Sequence, residues 1–289
     1  MLNPWEVKGK TLFEKLGGIH WFWIGLLLAV MILIPILHPL GLPITTTPWT
    51  VDAYNAIINA PDDKVIIWED LWGLGATAAA EAAHTAVMRI LFANNKPFIM
   101  YSEAPDNPQL QQYITEKVLK TAEAQGKVYG VDWVQLGFIA SGEAAIVSVA
   151  ENLHSAFKTD YFGTPIDKLP LMAKVHNYND MGLIISSFGS TTWIESSVRQ
   201  WYIKYNLPIV SYTMTGGATI SVAYYPNKGV VGIIEGGRGG AELEYLGKVY
   251  GIAQSQTDAK TLSFITIAAV IVIGNISYFG SRGRKEGEG

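Results

Sequence analysis

Apolar positions along this chain follow three rhythms, and each predicts a different element. Near the two ends they run without a break. Residues 21–37 read WFWIGLLLAVMILIPIL, uncharged and with one proline, Pro35. Residues 261–279 read TLSFITIAAVIVIGNISYF, also uncharged. A hydrocarbon core takes about 20 apolar residues of helix, so residues 21–39 and 261–279 are predicted to be transmembrane helices. Trp21, Trp23 and Tyr278 suit the headgroup region. Asn275 is the polar exception inside the second span: either it sits near the interface or, as a polar side chain at depth, it marks an oligomer or helix–helix contact.

Between the ends, short β-branched runs alternate with stretches of helical period. KVIIWED (residues 64–70) reads as a strand after the turn residues PDD. The alanine-rich GATAAAEAAHTAVMRILFANN that follows reads as a helix stopped by two asparagines. KPFIMYS is a second strand. A helix then opens with Asn107 as N-cap and Pro108 at its first position, and carries Leu110, Ile114, Val118 and Ala122 on one face. DWVQLGFIA is a third strand, and SGEAAIVSVAENL the helix after it. DMGLIISSF is a fourth strand, followed by a helix opened by a capping-box spacing between Thr192 and Glu195, with Ile194, Val198, Trp201 and Tyr205 on one side. LPIVSYTM is a fifth. The remaining TGGATISVAYYPNKGVVGIIEGGRGGAELEYLG reads as helical with a glycine-rich interruption. Five buried strands alternating with helices predict a Rossmann-like doubly wound α/β domain, with a mainly parallel five-stranded sheet, over residues 40–258.

Charge orients the spans. Lys8, Lys10 and Lys15 precede the first, and Arg282, Arg284 and Lys285 follow the second. On the inner flanks the first basic residue after the opening span is Lys64, and only Lys260 adjoins the closing one. The positive-inside rule then makes this a two-pass cell-membrane protein with both termini cytoplasmic and the α/β domain extracytoplasmic. Residues 1–20 form a cytoplasmic segment, too long and lacking an A-x-A site for a cleaved signal, and residues 280–289 a disordered cytoplasmic tail. Composition agrees: 49% of the 289 residues are hydrophobic and 16% charged. A net charge of −4 argues against nucleic acid as a partner. The absence of cysteine removes disulfides, thiolate nucleophiles and zinc–thiolate sites.

In doubly wound folds ligands bind beyond the carboxyl ends of the strands. That rim carries the candidate ligand contacts Glu69, Asp70, Glu103, Ser141, Gly142, Glu143, Ser187, Ser190, Thr215 and Gly216. Arg238, inside GGRGG, is a further candidate: its glycines either let it reach an anionic group or form a tight bend. Each has a plainer role. Glu143 in a first helical turn gains about 0.3–1 kcal/mol from the helix dipole alone, and serines at strand ends cap helices. GLGATA fits G-x-G-x-x-A, but EDLW separates it from the strand core. There is no phosphate-binding G-x-x-x-x-G-K-[ST] loop and no G-x-S-x-G elbow. The five histidines show no metal-ligand spacing. No metal and no cofactor is therefore predicted. The loop DYFGTPIDKLP offers Asp160, Thr164 and Asp167 as lid or partner contacts.

The segments YGVDWVQLGFIASGEAAI, TDYFGTPIDKLPLM, GVVGIIEGGRGGAELEYL and IVIGNISYF, in that order, give the chain a resemblance to an uncharacterised family of prokaryotic membrane proteins. That family has an α/β domain between an N-terminal and a C-terminal transmembrane helix. The chain departs from it at WEDLWGLG, where the family has an Asp-containing loop, and at GRGGAELE. The resemblance implies fold and anchors and brings no activity. Two functional expectations follow. One is a membrane-anchored scaffold or receptor subunit that associates with itself or with other membrane proteins. The other is a small-molecule-binding protein or enzyme that uses the acidic strand-end cleft.

Overall fold

The computed structural model describes residue 15 and residues 17–140, 142–188 and 191–287. They divide into two compact units, Pro43–Gln254 and a second formed by Met1–Leu42 with Ser255–Gly289.

The larger unit is an α/β domain. In chain order its main elements are α1 (Pro48–Ile58), β1 (Val65–Leu71), α2 (Thr77–Ala93), β2 (Phe98–Ser102), α3 (Asn107–Val118), β3 (Trp133–Phe138) and α4 (Glu143–Glu151). They continue with β4 (Met181–Phe188), α5 (Thr191–Ser197, widening to a π-helical turn over Val198–Ile203), β5 (Ile209–Thr213), β6 (Val230–Glu235) and α6 (Gly236–Gly247). All strand pairs are parallel, in the order β3-β2-β1-β4-β5-β6. Because side chains alternate along a strand, the two faces bury separate cores. Ile66, Trp68, Met100, Ile185 and Tyr212 pack beneath α1, α2 and α3. Val65, Ile67, Tyr101, Ile184 and Ile209 pack with Ile146, Val149 and Trp201 of α4 and α5.

The sheet has six strands, where the hydrophobic pattern predicts five. VVGIIE, expected within a helical stretch, is β6, in register with β5 from Ile209↔Val230 to Thr213↔Glu235. Its glycine obscures the strand signal for a packing reason. A Cβ on Gly232 would lie 2.3 Å from the Cα of Ala53, so α1 rests directly on the strand there. The GGRGG segment is likewise not a bend but the first turns of α6. A Cβ on Gly240 would come within 2.7 Å of the Cα of Ala83, so this glycine seats α6 against α2. At α3 the cap is Asp106 rather than Asn107, and Asn107 begins the helix.

The smaller unit pairs two apolar helices. The opening helix, Trp21–Leu37, has 17 residues, about 25 Å at 1.5 Å per residue, short of the roughly 30 Å hydrocarbon core. It stops where Pro39 forces extended geometry on His38 (φ −149°, ψ 108°). The closing helix runs Ile252–Gly287, past Phe279 into the tail expected to lack structure. Its segment Ile252–Gly280, 29 residues with a mean hydropathy of 2.0 over its most apolar 18-residue window, is the one described helix long and apolar enough to cross a membrane. The Ser255 hydroxyl donates to the Pro35 carbonyl at 2.8 Å, and the Asp258 carboxyl accepts the amides of Leu40, Gly41 and Leu42 at 2.8, 3.0 and 3.2 Å. At the other end a Cβ on Gly17 would meet the Ser277 hydroxyl. The two helices therefore run antiparallel.

Candidate functional site at the strand ends

The strand order reverses between β1 and β4, so the switch point, where such sheets bind ligands, lies at the ends of these two strands. Glu69 and Asp70 occupy it, opposite Ser186 and Ser187. As neighbours on one strand they point to opposite faces. Glu69 turns toward α5. Its carboxyl accepts hydrogen bonds from the Tyr101 hydroxyl at 2.8 Å, the Trp201 indole N–H at 2.9 Å and the Ser197 hydroxyl. Ser197 and Trp201 stand four apart where α5 passes into its π-helical turn, which presents both donors to one acid. Burial, reinforced by Glu69, drives the Tyr101 pKa well above its ordinary value, so this hydroxyl keeps its proton and stays a donor.

Asp70 turns toward α2 and α3. It accepts from the Gln111 amide at 2.6 Å, the Trp72 indole at 3.1 Å and the Ser187 hydroxyl. The His84 ring lies 3.6 Å from it, packed against Trp68 at 4.1 Å between ring centres with the planes tilted by 31°. Both His84 nitrogens are buried without a hydrogen-bond partner. Burial lowers its pKa against the opposing pull of Asp70, so the ring is neutral. Glu69, Asp70 and His84 are all 0% exposed. The two acids at the switch point are thus saturated by neutral donors from their own chain. Together with His84 they form an internal polar layer, closed to solvent.

The other rim candidates separate around this layer. Glu103 is half-buried with both oxygens unpartnered, and burial, then the proximity of Glu69, pushes its pKa up to about 8. Ser187 is consumed by Asp70. Glu143 lies at the start of α4 after Gly142, whose φ of +56° suits glycine. Arg199 binds it in a fork at 3.0 and 2.8 Å, and Gln200 adds a bond at 2.7 Å. These bonds, Arg199 first, hold its pKa down at about 2. Glu143 therefore clamps α4 to α5 rather than facing an open cleft. The Gly216 amide donates to Glu235 at 2.8 Å, and Thr215 packs beside Gly236, both far along the rim at β6. Ser141 and Ser190 lie outside the described residues. In the loop before β4, Asp160 is buried, accepting from the Tyr129 hydroxyl at 2.7 Å and from the amides of Phe162 and Thr164 at 2.9 and 2.7 Å. Asp167 pairs with His154 at 2.7 Å. Asp160 ties the loop into a turn, with Thr164 as one of its donors.

Arg238 borders a pocket of about 230 Å³ with Thr47, Trp49, Thr50, Glu235 and Glu242. Its Nε donates to the buried Glu242 at 2.9 Å, which also accepts the amide and hydroxyl of Thr47 at 2.9 and 2.7 Å. The guanidinium is otherwise 68% exposed. Among the described residues no group of three or more His, Asp or Glu side chains is placed to hold a metal. The residues that sequence reasoning missed are the donors: Trp72, Tyr101, Gln111, Ser197 and Trp201. Trp201 read only as helix core, and nothing in its period distinguishes an indole aimed at an acid from one aimed at leucines.

Fold and site together define a doubly wound, all-parallel α/β domain with sealed switch-point acids, on a chain that also carries a membrane-length apolar helix. Comparison with protein-family models, with curated proteins and with solved structures found no match.

Proposed function

We propose that this chain is a two-pass membrane protein whose extracytoplasmic α/β domain serves as a self-associating scaffold or receptor subunit of a membrane assembly. The observation that carries the reading is the saturation of Glu69 and Asp70. An acid–base pair for chemistry needs a proton-accepting atom within reach of substrate, and both carboxyls here are spent on holding β1 to the helices on either side. Two elements support the anchoring. The closing helix is long enough to span, and the opening helix, 17 uncharged residues, packs antiparallel beside it. The chain lacks cysteine, so single cysteines test topology cleanly. Lys158→Cys should react with an impermeant thiol reagent from outside intact cells and Arg284→Cys only after permeabilisation. The reverse pattern, or extraction of the protein by alkaline carbonate, refutes the placement. For the scaffold role, light scattering of the detergent-solubilised protein should give a discrete mass above one chain, unchanged in Glu143→Gln. A strict monomer refutes it.

The pocket beside Arg238 favours a second reading, a small carboxylate- or phosphate-bearing ligand held by the exposed guanidinium. Native mass spectrometry would then show one small mass per chain in the parent and none in Arg238→Ala. A bare chain in both refutes it.

A further inference from the structure

The closing helix has two faces with different tasks. Thr266, Val270, Gly274 and Ser277 lie on the side of the opening helix; Thr266 and Ser277 are 7% and 5% exposed, and Val270 and Gly274 line a groove between the two helices. On the opposite side Phe264, Ala268, Ile271, Asn275 and Tyr278 are all exposed. These five succeed one another at intervals of four, three, four and three residues, the heptad spacing of a helix seam. At 100° per residue they fall within one narrow stripe. Asn275 is the only amide in it, and among the described residues no hydrogen bond engages its side chain. In hydrocarbon its two N–H donors and its carbonyl would be unmet, at a cost that favours any helix able to satisfy them.

We propose that this seam is the contact between two copies of the chain, packed in parallel with Asn275 facing Asn275 across a two-fold axis. The proposal rests on the reading that the closing helix spans a bilayer. Three points choose a second copy over another occupant. All copies of one membrane protein insert in the same orientation, so their closing helices are parallel and a two-fold axis along the membrane normal brings each residue opposite itself. An amide is both donor and acceptor, so it satisfies an identical amide. One polar residue in an apolar heptad seam also sets register and helix number. Lipid could cover Phe264, Ile271 and Tyr278 but offers the Asn275 amide nothing in the hydrocarbon core.

The test is oxidative cross-linking of single-cysteine variants of the full-length protein in native membranes, after carbonate washing to confirm integration. Ala268→Cys and Ile271→Cys should form disulfide-linked dimers. Ile265→Cys, Val272→Cys and Ile276→Cys, exposed on the flank of the same helix, should not. In detergent, Asn275→Leu should weaken dimerisation about tenfold, while Asn275→Gln retains it. Cross-links spread evenly around the helix, confined to the flank or absent overturn the seam, as does an Asn275→Leu variant that dimerises like the parent. Loss of the protein in the carbonate wash refutes instead the membrane reading on which the seam depends.

Discussion

Replacing Glu69 by leucine removes the acceptor at the centre of the polar layer while keeping a side chain of similar length. The Tyr101 hydroxyl and the Trp201 indole then lose their only hydrogen-bond partner among the described residues, whereas Ser197 retains the Ser186 hydroxyl at 3.0 Å. A buried donor left unmet costs about 1–3 kcal/mol, so two give about 2–6 kcal/mol. Relief from burying the carboxyl offsets part of this, and we expect Glu69→Leu to destabilise the domain by about 3 kcal/mol. Tyr101→Phe alone should cost about 1–3 kcal/mol, because it takes a donor from a buried carboxyl. Made on top of Glu69→Leu, it should cost almost nothing or recover stability, because it deletes a hydroxyl that no longer has a partner. Urea unfolding of the four proteins, followed by far-UV circular dichroism, yields the coupling energy, expected to exceed about 1 kcal/mol. Additive effects within about 0.5 kcal/mol, or a stable Glu69→Leu protein, would show that the layer is not held as described.

Three further outcomes test neighbouring parts of the site. Glu103 has its folded pKa raised from 4.5 to about 8, so the native state binds the proton more tightly and wild-type stability should fall as pH rises from about 4.5 to 8. Glu103→Gln should flatten that fall and exceed the parent near pH 8.5 by roughly 1–3 kcal/mol after allowance for partial exposure; parallel pH profiles would contradict it. His84→Leu should be within about 1 kcal/mol of the parent or more stable, because it removes two unmet nitrogens. It should also reduce the loss of stability on acidification below about pH 6.5 that a buried neutral histidine brings, and a loss above about 2 kcal/mol would give His84 a structural partner. Glu143→Gln, breaking an exposed pair, should change the urea midpoint by the equivalent of less than about 1 kcal/mol; a larger drop would make the clamp between α4 and α5 essential.

What the sequence alone determined is the part governed by neighbours along the chain. Continuous apolar runs, β-branched strands and helical periods are one-dimensional signals. They suffice for the apolar end helices, the alternation of strands and helices, and the position of Glu69 and Asp70 at the end of β1. The sixth strand escaped because Gly232 is explained by α1 lying against it, a contact made by a residue far away in the chain. Of the two readings left open for the glycines around Arg238, the tight bend fails for the same reason, since Gly240 is there for α2. Whether the two acids are open or sealed was decided only in three dimensions. Apart from Trp72, just after β1, their donors come from β2, α3, β4 and α5, brought together by a strand order that no local pattern encodes. Burial then turned residues that look catalytic in a list into the polar centre of a packed core, because an acid removed from water must find hydrogen-bond donors wherever the fold supplies them.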